Sequence, residues 1–475
     1  MLFNSFEYLL FLPLVFLAYW LLRERERQNL FLVAASYFFY ACWDWRFLSL
    51  ILVTTISSYA SGWLMDRPGT GKGIRRTALA ANLILNLAIL GFYKYFNFFA
   101  QSFSGLLASF GVHADYPTLN IILPVGISFY TFQAIGYSVD VYVRRMPACR
   151  SLVSFAAFIC FFPQLVAGPI ESASHLLPQF QQPRRFSYDS AATGLRMILW
   201  GLFKKMAVAD NCAATVDMVW NDYSHFPPLM LALASLLFTI QIYCDFSGYS
   251  DIAIGSARLF GIELIGNFKL PYFSTSIPEF WRRWHISLMN WFRTYIYFPL
   301  GGSRGSKWQT SRNVLAVFLV SGLWHGANYT FVVWGLFHAL LSLPYILLGI
   351  RTRRGDTPPA VGLSRLPAML TTLLLVNIGW VVFRAPDLQS AAGFLRCMFF
   401  PTGSPLYGFS GTTAILTGAI CIGVEWIQRG RTYALDFRGR KLFASPLMRA
   451  ATYYAILFAL LRLSARGESF IYFQF

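Results

Sequence analysis

Long apolar runs separated by short polar breaks follow one another along the whole chain. Candidate membrane segments run near 5–21, 29–42, 47–64, 78–100, 119–138, 152–167, 190–203, 206–220, 228–244, 313–350, 367–383, 411–427 and 450–463. A helix needs about 20 apolar residues to cross a bilayer core, so 313–350 is long enough for two helices and several of the others are short or re-entrant. The pattern predicts roughly ten to twelve transmembrane or re-entrant helices, and so an all-α polytopic membrane protein. Continuous rather than alternating runs argue against a β-barrel. No long polar insertion marks a second folded unit, so residues 1–475 read as a single membrane domain. No internal repeat is visible, which weakens a transporter built from inverted halves.

Composition agrees. The 475 residues are 56% hydrophobic and 13% charged, where a soluble domain carries about 25% charged residues. The net charge of +18 sits largely in juxtamembrane clusters: Arg23/Arg25/Arg27, Arg67/Lys72/Arg75/Arg76 and Arg144/Arg145/Arg150. Successive clusters are separated by two apolar segments joined by basic-poor connections, Trp43-Asp44-Trp45 and His113 to Tyr116. The positive-inside rule places these clusters in the cytoplasm and the N-terminus on the periplasmic side. No positive charge precedes the first apolar run and no small-residue cleavage site follows it, so it does not read as a cleaved signal peptide. Nucleic-acid binding is not expected, since no basic folded domain is present. The seven cysteines are scattered and form no C-x-x-C or Cys/His cluster, so neither a disulfide framework nor a metal site is expected.

Between Arg312 and Arg351 there is no Lys, Arg, Asp or Glu, and in this run lies Ser321-Gly322-Leu323-Trp324-His325-Gly326-Ala327-Asn328. An ionisable group at membrane depth needs a partner, a water-filled cavity or a job. The near-neutral pKa of imidazole suits His325 to accept a proton, although a core histidine bonding neighbouring helices is the alternative. Gly326 allows close approach or a helix break, and Trp324 and Asn328 are candidate walls of a substrate tunnel. His338 lies thirteen residues further on. In an unbroken helix that is about 20 Å along the axis and nearly the opposite face, so His338 is expected to hydrogen-bond between helices, with a supporting site role as the lesser reading.

The stretch 241–312 mixes aromatic and polar residues at a density tolerated only inside protein or beside water. On Trp281–Leu300, helical spacing groups Trp281, Trp284, Leu288, Trp291, Phe292 and Tyr295 into an aromatic stripe, with His285 at its edge and Arg282 and Arg293 on a second face. His285 comes from another segment and can converge on His325. Asp245 and Asp251 are six residues apart and point away from each other on a helix, which favours separate helix-to-helix bonds. No G-x-S-x-G elbow, Walker loop or H-E-x-x-H is present.

Several stretches together resemble the membrane-bound O-acyltransferases, and within them the bacterial alginate O-acetylation membrane proteins. They are Phe3-Asn4-Ser5, Ala35–Ala41, Leu123–Gln133, Phe162–Ile170, Tyr243–Asp251, Phe280–Leu288, Ser321–Gly326 and Phe470–Phe475. The resemblance implies a ring of helices around a central tunnel, an essential histidine at His325 and a second site position at His285. It implies an acetyl group taken from a cytoplasmic acyl thioester such as acetyl-CoA, with no permanently bound cofactor. That group would pass across a bacterial inner membrane to an exported polysaccharide, directly or through a periplasmic acetyltransferase partner. His325 would be the general base and His285 would orient the donor or stabilise developing charge, with Trp284 along the tunnel and His338, Asp245 and Arg282 in support. D-alanyl transfer from a carrier protein to teichoic acid, and a non-catalytic glycan flippase, are the alternatives.

Overall fold

The computed structural model describes residues 1–112, 119–166, 168–353, 355, 362–400, 411–465 and 470–471. The connection at His113–Tyr116, Ala167, 401–410 and Tyr472–Phe475 of the last motif lie outside the described residues. Among those described, every regular element is helical. Five stretches are long and apolar enough to cross a membrane: Arg25–Met65, Lys72–Ser109, Pro228–Leu259, Tyr329–Leu347 and Leu366–Arg384. Phe6–Leu21 and Thr412–Ile427 are shorter apolar helices. The 41 residues of Arg25–Met65 are two helices, because Asp44 turns extended (φ −159°) and its side chain accepts from the amide of Arg46. The break falls on the expected Trp43-Asp44-Trp45 connection.

The chain folds into two compact units. The first comprises Met1–Tyr188 with Ala257–Leu264, and the second Asp189–Ser256 with Ile265–Phe475. Polar side chains knit the first together. Asn82 donates to Ser138 Oγ (2.8 Å) and Ser58 Oγ (3.2 Å), joining the helices Leu48–Met65, Lys72–Leu90 and Ile127–Tyr142. In an apolar surround such bonds hold helices in register.

The second unit holds every candidate site residue. Its helices Tyr188–Leu202 and Pro228–Leu259 approach backbone to backbone, since a Cβ on Gly201 would sit 2.6 Å from Gly248 O, and one on Gly248 2.8 Å from Gly201 O. One expected helix is broken. Trp281–Leu300 ends its first short helix at Trp281 and restarts at Ile286, with His285 between them in the left-handed region (φ 44°). The run 313–350 divides at Gly326, whose extended backbone (φ −166°) ends Lys307–His325. Asn328 then caps Tyr329–Leu347, and the two helices pack against each other.

Candidate active site

His325 is the last residue of its helix and is 3% exposed. Its ring lies 4.9 Å from Trp324, 5.0 Å from Trp334 and 5.4 Å from Phe383, each nearly edge-on. The hairpin that presents it depends on small residues. A Cβ on Gly322 would press into the carbonyl of Phe331, and one on Gly335 into that of Phe318. Only glycine permits this approach.

The helix break overturns the spacing argument about His338. After Gly326 the chain turns back, and the His338 ring comes within 5.3 Å of Trp334, the same indole that touches His325. Trp281 (5.0 Å), Phe337 (5.4 Å) and Phe318 (6.5 Å, stacked) also pack on it, and among the described residues neither ring nitrogen of this buried side chain has a hydrogen-bond partner, against the expected bond between helices.

His285, 1% exposed, meets the site from the other side of Trp324, at 5.9 Å from that indole and 4.6 Å from Phe246. Its orientation is set by Asn267, which sequence reasoning missed. Asn267 Oδ1 accepts from the backbone N–H of Ser287 (3.2 Å) and from Ser287 Oγ (2.9 Å), and lies 3.2 Å from His285 Nδ1. The Ser287 amide can only donate, so the facing atom is the amide oxygen and Nδ1 carries the hydrogen. Nε2 is therefore the acceptor atom of the ring. The Asn267 carbonyl also accepts from the amide of Ile286 (2.9 Å), clamping the strained turn. His285 is outside the five long apolar helices, and burial pushes its imidazole down to about 3. It stays neutral at working pH.

Two cavities reach neighbours of these histidines, and none of the three histidines lines either one. One of about 830 Å³ is lined by Arg282, Asn290, Arg293 and Tyr297 and ends on Trp281 and Phe318, the rings that cover His338. A second, of about 350 Å³, reaches Asn267 and is lined by Lys204, Asp251, Glu425, Arg283 and Arg431. Gly266 and Lys269 border both.

Other expected site residues have structural work. Asn328 accepts from Thr330 N (3.1 Å) and donates to Pro386 O (2.7 Å), as a helix cap. A Cβ on Gly326 would run into the Phe331 ring. Trp284 stacks on Phe280 (5.6 Å) and packs against Trp380 (4.9 Å). Arg282 ties down the loop after Tyr329–Leu347 through Thr352 and the carbonyl of Arg353. Asp245 pairs with Lys205 (2.8 Å) and accepts from the amide of Ile471 (2.7 Å). Asp251 pairs separately with Lys204 (2.7 Å), so the two carboxylates serve different bonds, as their spacing suggests.

Sequence reasoning also missed Lys204, Lys205, Glu279 with Arg283 (2.9 Å), and Glu425, which accepts from Tyr243. Glu425 carried a usable signal, as a lone carboxylate in the apolar run 411–427. Lys204 and Lys205 looked like a boundary between two spans.

Comparison with known proteins bears on this arrangement. The profile of the MBOAT, membrane-bound O-acyltransferase family matches residues 147–354. The chain is 42% identical over 401 residues to a probable alginate O-acetylase of Pseudomonas aeruginosa, covering 84% of this chain and 75% of that protein. It is 36% identical to a peptidoglycan O-acetyltransferase of Helicobacter pylori, over 82% and 77% of the two chains. A teichoic acid D-alanyltransferase of Bacillus subtilis is 26% identical over 56% of this chain and 70% of its own length.

Proposed function

Because the chain belongs to the membrane-bound O-acyltransferase family, we propose that this multi-pass membrane acyltransferase O-acetylates an exported polysaccharide from a bacterial inner membrane. The observation that carries the acyl group and the acceptor class is the similarity to an alginate O-acetylase and a peptidoglycan O-acetyltransferase over more than four-fifths of the chain. D-alanyl transfer is the weaker reading, because that relative matches at lower identity and over a shorter stretch. The donor is a cytoplasmic acyl thioester such as acetyl-CoA. It would enter through the cavity of about 830 Å³, whose Arg282 and Arg293 offer charge to phosphates. In this reading the helices surround a passage through the membrane that meets at His325, and the acetyl group leaves towards a periplasmic polysaccharide or an acetyltransferase partner.

His325 acts as general base. It takes the proton of the accepting hydroxyl as the new O–C bond forms and the C–S bond of the thioester breaks, and the thiolate is then protonated. Such assistance is worth about 10²–10⁴-fold in rate. Holding donor and acceptor together adds a proximity gain. His285 has committed Nδ1–H to Asn267, so Nε2 offers a lone pair. That casts it as an acceptor that orients a substrate N–H or O–H, and not as a donor to a developing oxyanion.

The test is His325→Ala, assayed for polymer acetylation alongside monodispersity in detergent. Loss of acetylation by a monodisperse protein is the expected result. Wild-type acetylation would remove the base from the mechanism, and misfolding would make His325 a core residue.

A further inference from the structure

We infer that the segment Phe437–Arg449 forms a binding site for the phosphate headgroup of an anionic phospholipid. A cavity of about 430 Å³ lies here, lined by Arg196, Arg438, Arg440, Lys441 and Arg449 with Phe437 and Phe443. No carboxylate is among its described lining residues. Among the described residues, Arg438 is the lining cation with an ion pair, to Asp436 (2.8 Å), and Asp189 attracts it more weakly. Arg196 donates to Tyr453 Oη (2.8 Å), and Arg440 to the carbonyl of Ile427 (2.7 Å) and to Gln428 Oε1 (3.3 Å). These bonds aim both guanidiniums without cancelling their charge. Converging cations around a concave surface call for an anion, and guanidiniums match phosphate geometry best.

The surroundings say which phosphate. The helix Pro446–Leu463 begins at this cavity, and apart from Arg462 at its far end it exposes mainly apolar side chains: Leu447 is 76% exposed, Phe458 62% and Leu461 85%. Phe437 and Phe443 stack at 4.2 Å, and Tyr453 adjoins Phe437 at 6.0 Å. Cations at the head of a helix with an exposed apolar flank, and aromatic rings beside them, match the layering of a headgroup over acyl chains. A soluble nucleotide would need no apolar flank. The site is separate from the residues assigned to acyl transfer.

The test uses the full chain in detergent with phosphatidylglycerol and phosphatidylcholine as probes, read by native mass spectrometry. Wild type should retain phosphatidylglycerol preferentially. Arg440→Gln/Lys441→Gln/Arg449→Gln should lose the preference at roughly fivefold per cation removed, whereas Arg67→Gln/Arg76→Gln, which removes charge from another loop, should keep it. If the triple variant does not fold, the single changes Lys441→Gln and Arg449→Gln carry the same expectation. Equal retention of both lipids by wild type, an unchanged preference in the variants, or loss of acetyl-CoA binding instead of lipid binding would each overturn the proposal.

Discussion

Two regions of the second unit are equally buried and chemically opposite. Around Lys204 and Lys205, 3% and 1% exposed, each ammonium meets a carboxylate: Asp251 for the first, Asp210 and Asp245 for the second. Around His325 the neighbours are the rings of Trp324, Trp334 and Phe383. The first arrangement matches fixed charges and locks two helical segments together. The second holds a titratable ring at the tip of a broken helix, packed edge-on among aromatic rings. Burial alone therefore does not mark a site. What distinguishes the two is whether the group's charge is already balanced by the fold.

The comparison breaks most severely at Lys205. Lys205→Met should leave Asp210 and Asp245 buried without their cation, a loss of about 3–5 kcal/mol. The expected outcome is an aggregated or unstable protein in a detergent melting assay, in contrast to a folded His325→Ala. A folded, inactive Lys205→Met would move the lysine pair into the catalytic machinery.

Next in size is His285. His285→Ala should lower the transfer rate on the order of 10²-fold by misplacing substrate, at matched membrane content. His338→Phe retains the ring packing against Trp281 and Trp334 and should change the rate little. The reverse order, which the shared contact with Trp334 makes a real test, would place the reacting centre on the His338 side of that indole.

Smallest is Asn267. Asn267→Leu removes the acceptor that fixes the His285 tautomer and should cost about 3–10-fold in rate. Asn267→Asp restores an acceptor and adds negative charge, which stabilises the imidazolium and raises its pKa from about 3. The protonated form has lost the Nε2 lone pair, so the acid limb of the rate–pH profile should move to higher pH. A wild-type profile in Asn267→Asp would show that Asn267 only supports the turn.

Much was legible along the chain. Helical class and membrane residence follow from continuous apolar runs, because the bilayer forces every backbone group into internal hydrogen bonds. His325 stood out because it is the sort of group a charge-free run cannot carry idly. The partners of buried charges were not legible. Lys205 and Asp245 are forty residues apart, and only packing of their helices brings them to 2.8 Å. Asn267, in a connecting segment, gave no sign that its amide would meet His285.

The sequence by itself determined that this is a helical membrane protein with an unusual histidine, since hydropathy and the cost of charge in lipid act locally and are written residue by residue. Only the tertiary structure decided which groups meet. The break at Gly326 returns His338 to the indole beside His325, and the left-handed turn at His285 lets Asn267 set its tautomer. Both depend on close approaches between distant segments, and distance in space is not encoded by spacing along the chain once a helix breaks.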